Sequence, residues 1–175
     1  EGRPLDLDAC LKEFVMEAPN LQRILKHAEW DTPARLINGY SANVKALHGP
    51  GFALLGNAAE FLDPVFSSGV TIAMRSASMA AAVLHRQLSG EAVDWDSEFS
   101  APLKRGVETF RAYVEGWYDG SFQDVIYYER AQPEIRRMIC SILAGYAWDN
   151  SNPYVAEPRR RLRVLAELCA TPAPA

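Results

Sequence analysis

The residues of this chain best placed for chemistry lie between Gly51 and Ala77, in "GFALLGNAAEFLDPVFSSGVTIAMRSA". An apolar run, "FALLG", reads as a short buried strand. A loop follows, and a helix of small residues begins at "SSGVTIAM". The first N–H groups of a helix have no partner inside it, and the aligned peptide dipoles add partial positive charge there. Ser67, Ser68 and Gly69 stand just before this helix, so strand, loop and helix together make an anion-friendly site. Gly69 removes side-chain bulk where a flat molecule would rest on backbone. Pro64 stiffens the loop and holds Asp63 out of the helical region.

Other chemistries find less support. His27, His48 and His85 sit far apart, and Cys10, Cys140 and Cys169 show no CxxC spacing, so no metal-ligand pattern or disulfide framework is expected. No GxSxG elbow accompanies any serine. A net charge of -4 gives no basic surface for nucleic acid. No apolar run approaches the roughly 18–20 residues needed to cross a bilayer. The first residues, "EGRPLDLDAC", carry no signal-peptide pattern, and a reducing cytoplasm is the expected setting. Arg159, Arg160, Arg161 and Arg163 read as a solvated helix face with Glu157 and Glu167 nearby. The aromatics from Trp117 to Tyr154 read as core, with a lid role open to "WYDGSF" and "YAWDNSNPY".

The elements that must hold the loop are mostly helical. Asp6 is expected to cap a helix carrying Leu7, Leu11, Phe14 and Val15, and Pro19 to open another running through Ala28. Leu36–Leu47 and Phe52–Leu55 are expected as antiparallel strands around the "HGPG" turn. After the loop, Val70, Ala73, Met74, Ala77, Ala81, Leu84 and Leu88 mark a helix face, ending near Gly90. Trp95, Phe99, Leu103, Val107, Phe110 and Val114 mark the next helix, which Pro102 kinks or delays and Gly116 and Gly120 interrupt. Pro133 opens a helix with Ile135, Met138, Ile139, Ile142 and Leu143 inward. "WDNSNPY" reads as a loop, and Val155–Cys169 as a last amphipathic helix carrying Val155, Leu162, Leu165 and Leu168 before a frayed "TPAPA" tail. The expected fold is a single domain over residues 1–175, mainly α with a small antiparallel β-hairpin.

The string "GNAAEFLDPVFSSGVTIAMRSA" resembles the second FAD-binding motif of flavin-dependent halogenases and their relatives among aromatic hydroxylase-type flavoproteins, with "DPVFSSGV" its diagnostic part. The likeness extends more weakly to "INGYSANVKAL" and "FRAYVEGWYDGSFQDVIYY". The resemblance implies cofactor contacts from Gly56, Asn57, Asp63, Pro64, Ser67, Ser68, Gly69 and Val70, the last five of these lining the isoalloxazine ring. Asn57 stands where the family usually carries an aspartate, keeping a carbonyl acceptor and losing the charge. In halogenases the amides matching Ser68 and Gly69 also help hold halide. Glu60 receives no role.

A complete flavoprotein of this kind also carries a GxGxxG turn that holds pyrophosphate. GxGxxG, the halogenase lysine and the Trp-x-Trp-x-Ile-Pro motif are all absent from this sequence, and Lys45 and Lys104 read as solvated lysines. The chain is therefore expected to be the C-terminal part of a larger α/β FAD-binding protein. Residues 1–90 would be the remnant of the FAD and substrate region, and residues 91–175 a helical region. The parent would bind FAD, a small-molecule substrate and, as a halogenase, halide, taking electrons from a flavin reductase or NAD(P)H. This chain alone would bind FAD poorly and have no catalytic residue. The alternatives are an FAD-dependent dehydrogenase or monooxygenase without halide chemistry, and a non-catalytic helical interaction module.

Overall fold

Caps and prolines set where the helices begin. The computed structural model describes residues 6–39, 41–130 and 132–170. Tyr40 of the expected strand and the "TPAPA" tail lie outside the described residues. The chain forms two units, residues 1–40 and 41–175. In the first, Asp6 caps α1 (Leu7–Glu17) by accepting from the Ala9 amide at 3.1 Å. α2 (Pro19–Leu25) opens on Pro19, whose missing N–H costs nothing there, and stops short of Ala28. Asp8 accepts from the Ala34 amide at 2.7 Å and ties the following segment back. Neither helix buries a residue, and Leu11, Phe14, Leu21 and Ile24 are exposed.

The second unit opens with two nested antiparallel ladders. β1 (Ala42–Asn43) pairs with β4 (Glu60–Phe61), and inside it β2 (His48–Gly49) pairs with β3 (Phe52–Ala53). The hairpin turns at Pro50 and Gly51, as "HGPG" signals. The long strand expected over Leu36–Leu47 is corrected to a two-residue strand, and its partner Glu60–Phe61 lies in what the sequence presents as loop. Strands this short carry no alternation to read.

α3 (Ser68–Leu88) starts where expected, but its inward face is corrected. The buried residues are Ser68, Ile72, Ser76, Ala80 and Val83, while Val70 and Met74 are 71% and 70% exposed and Leu88 is 79% exposed. The physical reason is size. The face that packs carries Ala73 and Ser76, and these small residues admit a backbone turn that bulky side chains would exclude.

The next helix begins with a reciprocal cap: the Asp94 carboxylate accepts from the Asp96 amide, and Glu98 accepts from the Asp94 amide at 3.0 Å. Hydrogen bonds from Ser97 and from the Asp96 amide lower the pKa of Asp94. A π-helical turn, Asp96–Ser100, then leads into α4 (Ala101–Tyr118). Pro102 sits in the first turn of α4, where the widened turn before it accommodates a residue without an N–H. Gly116 does not interrupt α4; the break comes at Gly120, before α5 (Ser121–Tyr127).

α4 is the axis of the core. It buries Leu103, Val107, Phe110, Ala112, Tyr113 and Val114 against α3, α5 and α8. α6 (Pro133–Leu143) buries Ile139 and Ile142 as expected. The helix expected over Val155–Cys169 is two, α7 (Pro153–Ala156) and α8 (Pro158–Ala170), because Pro158 cannot continue the first. α7 starts inside "WDNSNPY", capped by Asn152. Val155, Leu162 and Leu165 are buried, but Leu168 is 65% exposed. No helix among the described residues is long and apolar enough to cross a membrane.

Trp148 closes the core by lying against α4, its indole N–H donating to the Pro102 carbonyl at 2.9 Å. A Cβ on Gly106 would stand 2.0 Å from the indole Cε2. Helix propensity alone favours alanine over glycine by about 1 kcal/mol. Overpacking reverses that sign, so Gly106→Ala is expected to destabilise by about 1–3 kcal/mol in urea unfolding. Burial also holds the Tyr113 phenol above the ordinary tyrosine range. Folding then favours its neutral form; that stability is complete below about pH 10 and is lost as pH rises beyond it. The urea midpoint should fall above about pH 10, and fall less in Tyr113→Phe.

Candidate functional site

The loop between β3 and α3 is shaped by two tight turns. The first is the 3-10 turn Gly56–Ala58. Gly56 has φ 53°, and its N–H donates at 3.0 Å to the hydroxyl of Ser76, a fully buried side chain on α3. That hydroxyl in turn donates to the Ala73 carbonyl at 3.0 Å. A Cβ on Gly56 would meet the Ala73 Cβ at 3.0 Å, so both its dihedral and its surroundings call for glycine.

The second is the 3-10 turn Pro64–Phe66. Asp63 caps it through Oδ1, which accepts from the Val65 amide at 2.8 Å, while Oδ2 accepts from the Tyr118 hydroxyl of α4 at 2.9 Å. Phe66 turns inward and packs edge-on against Trp117 and Phe122, with ring centroids 5.7 and 5.5 Å away. Tyr113 also packs edge-on with Phe122, with ring centroids 4.9 Å apart. Glu60 adds a partly buried ion pair, accepting from Arg111 at 2.8 Å; Arg111 also donates to Glu108 at 2.9 Å. Burial works against the Arg111 charge, but these carboxylates outweigh it and raise its pKa.

The chain then enters α3 through Ser67 at φ 52°, the one positive φ outside glycine among the described residues. Such a conformation costs an ordinary side chain about 1–2 kcal/mol. No side chain caps this helix, and no acidic residue stands in its first turn. The N–H groups at the start of α3 therefore keep their donor capacity, with the positive end of a 21-residue helix behind them. A Cβ on Gly69 would find only Asn57 Oδ1, 3.7 Å away, so the surface above Gly69 is open.

Of the residues singled out in the sequence, Asn57, Ser67, Ser68, Gly69 and Val70 gather at the start of α3. Asn57, Pro64, Ser67 and Val70 are exposed, Gly69 is partly exposed and Ser68 is buried. Gly56 lies beneath, against α3, and Asp63 is turned toward α4. Residues that hold the site without being singled out are Ser76, Phe66, Tyr118, Arg111 and Glu60. Of the α8 arginines, Arg159 pairs with Glu108 and Glu115 of α4, and Arg160 and Arg161 pair with Glu157.

No family model matches this chain. It is 38% identical to a solved flavoprotein/dehydrogenase from Cytophaga hutchinsonii and superposes on it with a TM-score of 0.87, covering 95% of this chain and 41% of that one. A 1H-pyrrole-2-carbonyl-[peptidyl-carrier protein] chlorinase of Pseudomonas fluorescens is 26% identical over 91% of this chain. A flavin-dependent halogenase of Armillaria mellea is 30% identical over 74% of it. The chain spans 36% and 26% of the lengths of these two relatives. It is thus related to the superfamily of flavin-dependent halogenases and flavoprotein dehydrogenases.

The anchors predict how the loop fails. Phe66→Ala should cost roughly 2 kcal/mol, less than the ~3–5 of a fully buried phenylalanine, and should speed amide exchange at residues 63–69. Tyr118→Phe should speed exchange over the same residues at a cost of about 1 kcal/mol. Exchange there unchanged in both variants would show that the loop keeps its shape without them.

Proposed function

We propose that this chain serves as the C-terminal part of an FAD-dependent oxidoreductase, with Asn57 and residues 64–70 as its flavin-facing wall. The observation that carries this reading is the uncapped start of α3, formed by the "DPVFSSGV" motif, with the open backbone of Gly69 beside Asn57. A flat, electron-rich ring edge is what such a surface accepts. FAD, when bound, would supply the redox chemistry. The amides of Ser68, Gly69 and Val70 would donate to its electron-rich edge, and the α3 dipole would offset negative charge there. Pro64 and Val70 would offer apolar contact. Asn57 would present a neutral acceptor, and Asp63 would act by fixing the loop to Tyr118.

Within that reading we favour a halogenase-like parent, supported by the halogenases among its relatives. Such a parent would hold halide at the amides of Ser68 and Gly69 and receive electrons through a reductase. A dehydrogenase without halide chemistry is the second reading, supported by the likeness to the Cytophaga flavoprotein/dehydrogenase. Free Cys10, Cys140 and Cys169 accord with a reducing, cytoplasmic setting.

FAD titration separates the parts of this proposal. The chain by itself should bind FAD weakly, and a protein extended upstream through a GxGxxG turn should bind it tightly. In the extended protein Gly69→Leu should weaken FAD at least about tenfold, with helix content preserved, because a fixed contact surface tolerates little added bulk. Tight stoichiometric binding by the chain alone would overturn the need for an upstream half. Undiminished affinity in Gly69→Leu would remove the wall from the site. Halide incorporation into an aromatic acceptor by the extended, reductase-supplied protein would decide between halogenase and dehydrogenase.

A further inference from the structure

A second site lies apart from the flavin-facing loop. α5, α6 and α8 enclose a cavity of about 400 Å³, within the size range of small-molecule pockets. Its buried walls are aliphatic: Val125 from α5, Ile139 from α6 and Leu165 from α8. No residue of the loop around Gly69 lines it. Its charged lining is of one sign. Arg130 and Arg136 stand on it, both exposed, with the Gln132 amide between them in sequence, and no carboxylate lines it.

Several other arginines of the helical region are held by carboxylates. Arg111, Arg137, Arg159, Arg160 and Arg161 each meet a carboxylate. Among the described residues, neither Arg130 nor Arg136 enters an ion pair. Unpaired planar donors at the mouth of an aliphatic cavity suit one ligand chemistry: an apolar body ending in a carboxylate, which a guanidinium meets with two parallel hydrogen bonds. We infer that this cavity binds a small apolar monocarboxylate, its body among Val125, Ile139 and Leu165 and its carboxylate at Arg130 and Arg136. The inference is independent of the flavin reading, and the failure of either leaves the other standing.

The cysteines supply a built-in reporter. Cys140 and Cys169 line the cavity, and Cys10 lies in the first unit. Calorimetric titration of the chain with decanoate and with 2-naphthoate, beside uncharged decanol, tests the proposal. At least one carboxylate should bind saturably at one site, and alkylation of Cys140 and Cys169 by iodoacetamide should slow while Cys10 reacts as before. Arg130→Gln/Arg136→Gln changes exposed residues only and should weaken binding at least about tenfold, the scale of a lost charge-assisted hydrogen bond. A preference for decanoate would assign an acyl body, and one for naphthoate an aryl body. The proposal is overturned if neither carboxylate binds, if decanol binds as well as decanoate, if the double variant binds undiminished, or if both cavity cysteines stay unprotected.

Discussion

The seat of Phe66 between Trp117 and Phe122 is the contact on which the candidate site depends. A loop between a two-residue strand and a long helix has little shape of its own. Here one aromatic ring converts it into an extension of the core, because Phe122 is fully buried and already held by Tyr113 on α4. Asp63 adds direction, joining the turn to Tyr118. Glu60 adds a charge clamp on Arg111, so the loop is tied to α4 at three points of different chemistry. A surface fixed in this way loses little conformational entropy on meeting a ligand, which is the physical meaning of preorganisation.

The second constraint is close approach. The Gly56 turn reaches α3 because Ala73 offers little bulk and Ser76 offers an acceptor. That contact places Asn57 beside Gly69, and it sets the side of α3 that carries Ala73 and Ser76 inward, together with Ile72, Ala80 and Val83. Val70, Met74, Leu84 and Leu88 are left facing water.

Features governed by neighbours in sequence were legible. Asp6 caps α1, Pro19 and Pro133 open helices, and α3 begins at the expected serines. The spacing of Phe99, Leu103, Val107 and Phe110 marks the true core face of α4, since that helix has a polar side for contrast. α3 has no such contrast: nearly every residue is apolar or small, and periodicity selected the bulkier stripe over the buried one. The β1–β4 ladder was invisible because pairing at two residues leaves no pattern. In the candidate site, the motif is local, but the groups that fix its loop lie far along the chain. Tyr118 is 55 residues from Asp63 and Arg111 is 51 from Glu60, and such pairings leave no local trace.

The glycines of α4 bear on how the protein comes to be folded at all. Gly106 leaves the hollow that receives Trp148, and Gly116 the one that Leu162 approaches, where an added Cβ would stand 2.6 Å from it. Each glycine weakens the intrinsic helicity of α4 by about 1 kcal/mol. The central helix is thus weakest at the points where later segments dock, and those segments need a formed α4 to dock upon. Neither can be secured first. On a ribosome, α4 would emerge before Trp148 and Leu162, so the two hollows can be filled only after those later segments have followed it.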